Sequence, residues 1–201
     1  MKRASSVVMS LSILGCGLFV PATNSWACQR VQPFTLNELF DNAEVIVRVT
    51  AVKYVKPPDD PKIITTDRTD STIEFKVEEK VSGGDVPDTI VLNGYLSDKD
   101  DFNEMPVPYM FVRRLGRRGS CFANTYKEGG QFLLVLKKTK DGFTSNISAL
   151  GPTNEQLHSD NDEWLIWVRN HLKSLEVKDK ESALPRGDLL RWLNSVLAAA
   201  I

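Results

Sequence analysis

The sequence predicts a mainly β fold, a small barrel of five strands with a short helix before it and helices after it, so α+β in composition. Three observations predict it. Five segments between residues 44 and 150 are apolar or alternate apolar with polar side chains, the pattern of a strand. No helical segment separates one strand from the next, which excludes the strand-helix-strand rhythm of a parallel sheet. Past Gly151-Pro152 the apolar period lengthens to that of a helix. Five antiparallel strands left open would expose two edges, and closure into a barrel removes both.

The chain begins with Lys2 and Arg3, followed by an almost charge-free apolar run from Val7 to Val20, and Ser25-Trp26-Ala27 then places small residues before a cleavage point. The run is short of the roughly 20 residues that a bilayer span needs, and Pro21 breaks it. Residues 1–27 therefore read as an export signal cleaved before Cys28, and the product as secreted or periplasmic with no transmembrane span. Two rival cuts are a site after Val20-Pro21-Ala22 and a loose lipoprotein box at Ile13-Leu14-Gly15-Cys16, whose Leu14 is bulky.

Thr35-Leu36-Asn37-Glu38 has the form of a capping box, with Leu36, Leu39 and Phe40 on one face, so a short helix is expected to run to Asn42. Glu44 to Val55 is a long strand rich in Val and Ile, and the proline- and aspartate-rich stretch from Lys56 to Asp70 is a loop. Ser71 to Val81 alternates Ile73, Phe75 and Val77 against Glu74, Lys76 and Glu78, a strand with one wet face, and Ser82-Gly83-Gly84 ends it. Asp88 to Leu96 gives the third strand, followed by an acidic loop from Asp98 to Glu104. Gln131 to Lys137 and Phe143 to Leu150 are expected to pair as a hairpin around Asp141-Gly142. Trp164, Leu165, Trp167, Val168, His171 and Leu172 then suit a helix with an acidic first turn. A polar link over Glu176 to Glu181 leads to a last helix bearing Leu189, Leu190, Trp192, Leu193, Val196 and Leu197. The OB-fold is the five-stranded closed barrel that such a set of strands can build.

At 42% hydrophobic and 25% charged residues the 201-residue chain can bury a core, which excludes a disordered chain. A formal charge of −1 gives no global basic field for nucleic acid. Only His158 and His171 are present, and H-E-x-x-H, G-x-S-x-G, P-loop and dinucleotide patterns are missing, so no catalytic residue, metal or cofactor is assigned. Signal removal leaves Cys28 and Cys121, an even count in an oxidising compartment, which favours one disulfide over a metal site. A bridge closing a loop of roughly 100 residues contributes at most about 4.7 kcal/mol in the chain-entropy treatment. Arg113, Arg114, Arg117 and Arg118 are a candidate site for an anionic glycan, against the plainer reading of a solvated loop. The carboxylates Asp98, Asp100, Asp101 and Glu104 lack the spacing of a calcium loop and read as solvated. The tryptophans read as core.

The sequence also resembles the netrin-like module shared by tissue inhibitors of metalloproteinases and several extracellular proteins. The resemblance rests on Ala27-Cys28, on Ala43-Glu44-Val45-Ile46-Val47-Arg48-Val49-Thr50-Ala51-Val52, on Ile73-Glu74-Phe75-Lys76-Val77-Glu78-Glu79-Lys80-Val81-Ser82-Gly83, and on Ser120-Cys121 followed by Gly130-Gln131-Phe132-Leu133-Leu134-Val135. It covers roughly Cys28 to Leu150 and implies an OB barrel, placed over residues 28–152, and a Cys28–Cys121 bridge; the helical period past Gly151-Pro152 makes residues 153–201 a helical C-terminal extension. The resemblance also implies a protein partner, with a zinc metalloprotease as one candidate: the terminal amine and carbonyl of Cys28 would take the open position of the protease zinc, and Gln29 would enter the specificity pocket. The inhibitors begin Cys-x-Cys and carry further bridges, whereas Arg30 stands here. Two functions follow as expectations, a non-enzymatic exported binding module and an inhibitor acting through Cys28.

Overall fold

The computed structural model describes residues 35–60, 70–117 and 121–183, with residues 179–183 described by backbone alone. Helix α1 spans Leu36–Asp41 and its capping box forms: the Glu38 amide donates to Thr35 Oγ1 at 3.2 Å and the Thr35 amide donates to Glu38 Oε2 at 2.8 Å. These bonds satisfy two amides that a helix start leaves without intrahelical acceptors. Strands β1 (Val45–Lys56) and β2 (Thr72–Gly83) form a long antiparallel pair, and four register shifts along it bend and coil the ribbon. Gly83 closes β2 at φ +92°, where a Cβ would stand 2.1 Å from the Glu44 carbonyl oxygen, so only glycine fits.

The main sheet is antiparallel and six-stranded. It adds β3 (Thr89–Asn93), β6 (Gln131–Thr139), β7 (Gly142–Thr144) and β8 (Asn154–Leu157). Their order is β3-β2-β1-β6-β7, with β8 also paired to β6. One side of β6 meets β1; β8 and β7 share the other side, along residues 131–134 and 137–139. The remaining strands, β4 (Tyr95–Ser97) and β5 (Thr125–Lys127), form a separate parallel pair. The ends β3 and β7 approach one another without a ladder between them.

The mainly β character and the places of α1, β1, β2 and β6 are as the sequence predicts, and five elements differ. The strand expected over 88–96 is two, because the chain turns at Gly94 from β3 into β4; a Cβ there would lie 2.7 Å from the Tyr126 ring. The second arm of the hairpin stops at Thr144, since only Lys137 to Thr139 have partners in it. Two short strands, β5 and β8, stand where none was expected. Finally, helix α2 runs Glu163–Ala183, straight through the expected polar link, because Glu, Lys and Leu are good helix formers whether or not they are buried. The last predicted helix, with Trp192, lies outside the described residues.

Both faces of the sheet are covered. On one, Val45, Val47, Val49 and Ala51 of β1 pack with Ile73, Phe75, Ile90, Leu92, Tyr126, Phe132, Leu134 and Leu136. On the other, Leu39 and Phe40 of α1 and Trp164, Leu165 and Val168 of α2 cover Ile46, Leu133 and Val135. Arg48 on β1 and Arg169 on α2 both pair with Glu79 on β2, at 3.2 Å and 2.6 Å, which ties the helix to the curled end of the ribbon. No described helix is long and apolar enough to cross a membrane.

A candidate binding surface on the 101–117 loop

Between β4 and β5 the chain makes a long excursion whose base is polar and buried. Arg113 anchors it. Its side chain is fully buried: Nη1 donates to Asp101 Oδ2 at 3.0 Å and to the Thr125 carbonyl at 2.9 Å, and Nε donates to the Asn154 carbonyl at 3.0 Å. The guanidinium also lies over the rings of Tyr126 and Phe132, at 5.3 and 5.2 Å from their centroids. Such a charge is tolerable inside only because it is paired and hydrogen-bonded. Asp101 completes the joint by accepting from the Leu115 amide at 2.9 Å and from the Gly116 amide. Gly116 is the residue that lets the backbone come this close, since a Cβ there would meet Arg113 Nη1 at 1.9 Å.

Glu155 of β8 holds the other half of the loop. Its carboxylate accepts from the Arg113 backbone amide at 3.2 Å and from Asn103 Nδ2 at 2.9 Å, and the same Asn103 group donates to the Phe111 carbonyl at 2.8 Å. Complete burial pushes the Glu155 carboxyl up to about 7, against the opposing pull of Arg113 and of the Asn103 hydrogen bond. Gln156 links to the loop's start, accepting from the Asp101 amide at 2.8 Å and donating to Asp100 at 2.6 Å. On the far side Tyr109 is buried and stacks on Trp164 at 4.9 Å, which fastens the loop to α2.

With polar groups filling the inside, apolar ones face water. Met105, Met110, Phe111 and Leu115 are 39%, 42%, 54% and 71% exposed, half of all the large hydrophobics exposed among the described residues. Pro106 and Pro108, both exposed, restrict the backbone between them. Cys121 joins the base through Leu150: the Val112 amide donates to the Leu150 carbonyl and the Leu150 amide to the Cys121 carbonyl, both at 2.8 Å. Leu150 holds φ +60°, a left-handed conformation that a branched side chain rarely adopts and that marks local strain.

The four arginines expected to form one anion-binding patch do not act together. Arg113 is withdrawn into the interior, which corrects its assignment to a surface site: its charge is already answered by Asp101 and two carbonyls. Arg114 is exposed, Arg117 is half-buried, and Arg118 lies outside the described residues, as do Cys28 and Gln29. Cys121 is disulfide-bonded, while Cys16 and Cys28 both lie outside the described residues. The acidic loop is not simply solvated either, because Asp101 and Asp100 are engaged as described. Asn103, Asn154, Glu155 and Gln156 carry no periodic or motif signal, and the exposed Met110-Phe111 pair reads in sequence like core. No family model, curated protein or solved structure matches this chain.

Proposed function

We propose that the chain is an exported, non-enzymatic binding module of netrin-like type, whose sheet forms the wall of an OB-like barrel and whose 101–117 loop engages a protein partner. The coiled β1–β2 ribbon and the approach of β3 to β7 support the barrel. The binding role rests on one observation, the inverted polarity of the loop. It buries Arg113 and Glu155 and exposes Met105, Met110, Phe111 and Leu115, the reverse of what stability alone favours. Methionine, aromatic and arginine side chains are also the types enriched where proteins meet. A photo-reactive amino acid at Phe111 in protein exported by its own host tests this. The expected result is a covalent protein adduct that the same probe at exposed Val91 on β3 does not give; no adduct, or equal adducts at both positions, overturns the reading.

A second reading, inhibition of a zinc metalloprotease, is favoured by the place of Cys121. A bridge from Cys28 to Cys121 would bring the mature terminus beside the exposed loop, with the Cys28 amine and carbonyl free to meet a zinc ion and Gln29 next to them. One residue added before Cys28 is then expected to abolish inhibition, and an unchanged inhibition constant removes this reading. An anionic glycan is left with Arg114 and Arg117.

A further inference from the structure

The loop bears charges of both signs that nothing in the described molecule answers. Of the five described arginines, Arg48, Arg113 and Arg169 stand in ion pairs, whereas Arg114 and Arg117 do not. Asp98 and Glu104, on the same excursion, are exposed and likewise have no ion pair among the described residues. Met105, Met110, Phe111 and Leu115 are interspersed with them. A surface holding acidic, apolar and basic parts is complementary to itself under a two-fold rotation when its unlike charges flank the axis and its apolar part lies on it, so that each arginine meets a carboxylate of the other copy. A surface of one sign would repel its own copy.

We propose that the 98–117 surface docks a second copy of this chain about a two-fold axis. Met110, Phe111 and Leu115 lie at its centre, and Arg114 and Arg117 face Asp98 and Glu104 of the partner subunit. This rests on the reading of the loop as the binding surface and names its occupant. The buried anchors favour a protein over a lipid surface: preorganisation strengthens binding to a partner of fixed shape, and a fluid bilayer has none. Anionic headgroups would also repel Asp98 and Glu104. The loop offers fewer residues than the roughly 20–30 per side of a standard interface, so the dimer is reversible.

Sedimentation velocity of the full exported chain, over a range of concentrations at low and high salt, tests the proposal. The expected result is a monomer–dimer equilibrium that salt shifts towards monomer. Phe111→Ser with Leu115→Ser is expected to weaken it by about tenfold or more. Arg114→Glu with Arg117→Glu is expected to do the same, and adding Asp98→Lys and Glu104→Lys to that pair restores association. Phe111, Leu115, Arg114, Asp98 and Glu104 are exposed, so their variants keep the circular dichroism and Tm of the wild type, and Arg114→Glu with Asp98→Lys repeats the charge test without the half-buried Arg117. A monomer at every concentration, a dimer indifferent to the substitutions, or charge reversal without restoration overturns the proposal. Co-sedimentation with phosphatidylglycerol vesicles in place of dimerisation overturns it in favour of a lipid surface. A monomer that still gives a Phe111 adduct with another protein removes only the self-pairing; a monomer with no adduct removes the binding surface as well.

Discussion

Strands β6 and β8 are hydrogen-bonded neighbours, and both are buried, yet they are buried with opposite chemistry. From Phe132 to Leu136, β6 is wholly apolar and packs on both faces of the sheet. Beside it, β8 is Asn154-Glu155-Gln156-Leu157, and all four residues are buried. The first strand is held by contacts that any apolar neighbours of the right size could make. The second is held by named partners: Asn154 Nδ2 donates to Tyr126 Oη at 2.9 Å and to the Ala123 carbonyl, Glu155 takes the Arg113 amide and Asn103, and Gln156 accepts from the Asp101 amide and donates to the Asp100 carboxylate. Apolar burial stabilises without choosing a partner, whereas a buried polar group tolerates only the partner that satisfies it. The polar strand therefore fixes one loop conformation, and the fixed loop is the one that exposes Met110, Phe111 and Leu115.

The strongest way to break the polar side is Arg113→Met, which leaves Asp101 and the carbonyls of Thr125 and Asn154 without their donor. Losing one partner of a buried charge pair typically destabilises by about 3–5 kcal/mol. Urea unfolding checks this; a change below about 1 kcal/mol would show that the anchor is a surface pair after all. On the apolar side Leu134→Ala, at a site with no solvent exposure, is expected to destabilise by about 2–5 kcal/mol, the spread reflecting how far Val47 and its neighbours relax into the cavity. The two variants differ in what remains. Leu134→Ala keeps the loop in place and any binding by Phe111, whereas Arg113→Met loosens the loop, so its amides from Asn103 to Gly116 exchange faster with solvent relative to the sheet.

Acidity sharpens the contrast, because it acts on β8 and leaves β6 untouched. The Glu155 carboxyl is raised from 4.5 to about 7 by burial, so the folded state holds this proton more tightly than the unfolded chain does. The resulting stabilisation is complete below about pH 4.5 and is lost as pH rises through 7, on the order of 3 kcal/mol in all. Glu79 and Glu78 act in the opposite sense: Arg169 and Lys76 respectively lower them, and what they contribute fades as pH falls below the usual carboxylate range. Glu155→Gln isolates the first effect. Its stability is expected to lose the wild type's decline between pH 5 and 8 and to keep only the opposite, rising contribution of His171, whose ring burial holds below the usual histidine range; parallel curves would place the titration elsewhere.

The same contrast governs how much of the molecule can be read from residues alone. The alternation in Ile73, Phe75 and Val77, the Val-rich run of β1, the apolar run of β6 and the Thr35–Glu38 capping box are local patterns with local causes, and each forms where the sequence places it. Strand β8 has no apolar period, because three of its four side chains are buried through partners 28 to 56 residues away in sequence. Arg113 looks identical to Arg114 until Gly116 and Asp101 are seen to enclose it. Conversely, Met110-Phe111 has the composition of core, and only the filled space beneath it turns it outward. The strands of the main sheet were legible and the surface proposed to bind was not, since the latter depends on long-range polar pairing that no periodicity encodes.

Gln156→Ala is the mildest break in the polar strand and separates its two jobs. Gln156 keeps its backbone ladder with Phe132 in either variant, so the strand persists. What disappears is the side-chain clasp on the Asp101 amide and on Asp100, at the edge of the buried region where water can replace the lost partners. The expected loss is about 1 kcal/mol, the net value of a hydrogen bond that solvent can substitute. Asp101 would still hold Arg113, Leu115 and Gly116, so the apolar tip of the loop stays in position while its acidic start at Asp98 to Asp100 gains freedom. If the partner subunit uses Asp98, self-association weakens more than the fold does; equal losses in unfolding and sedimentation would mean that the clasp only stabilises the fold.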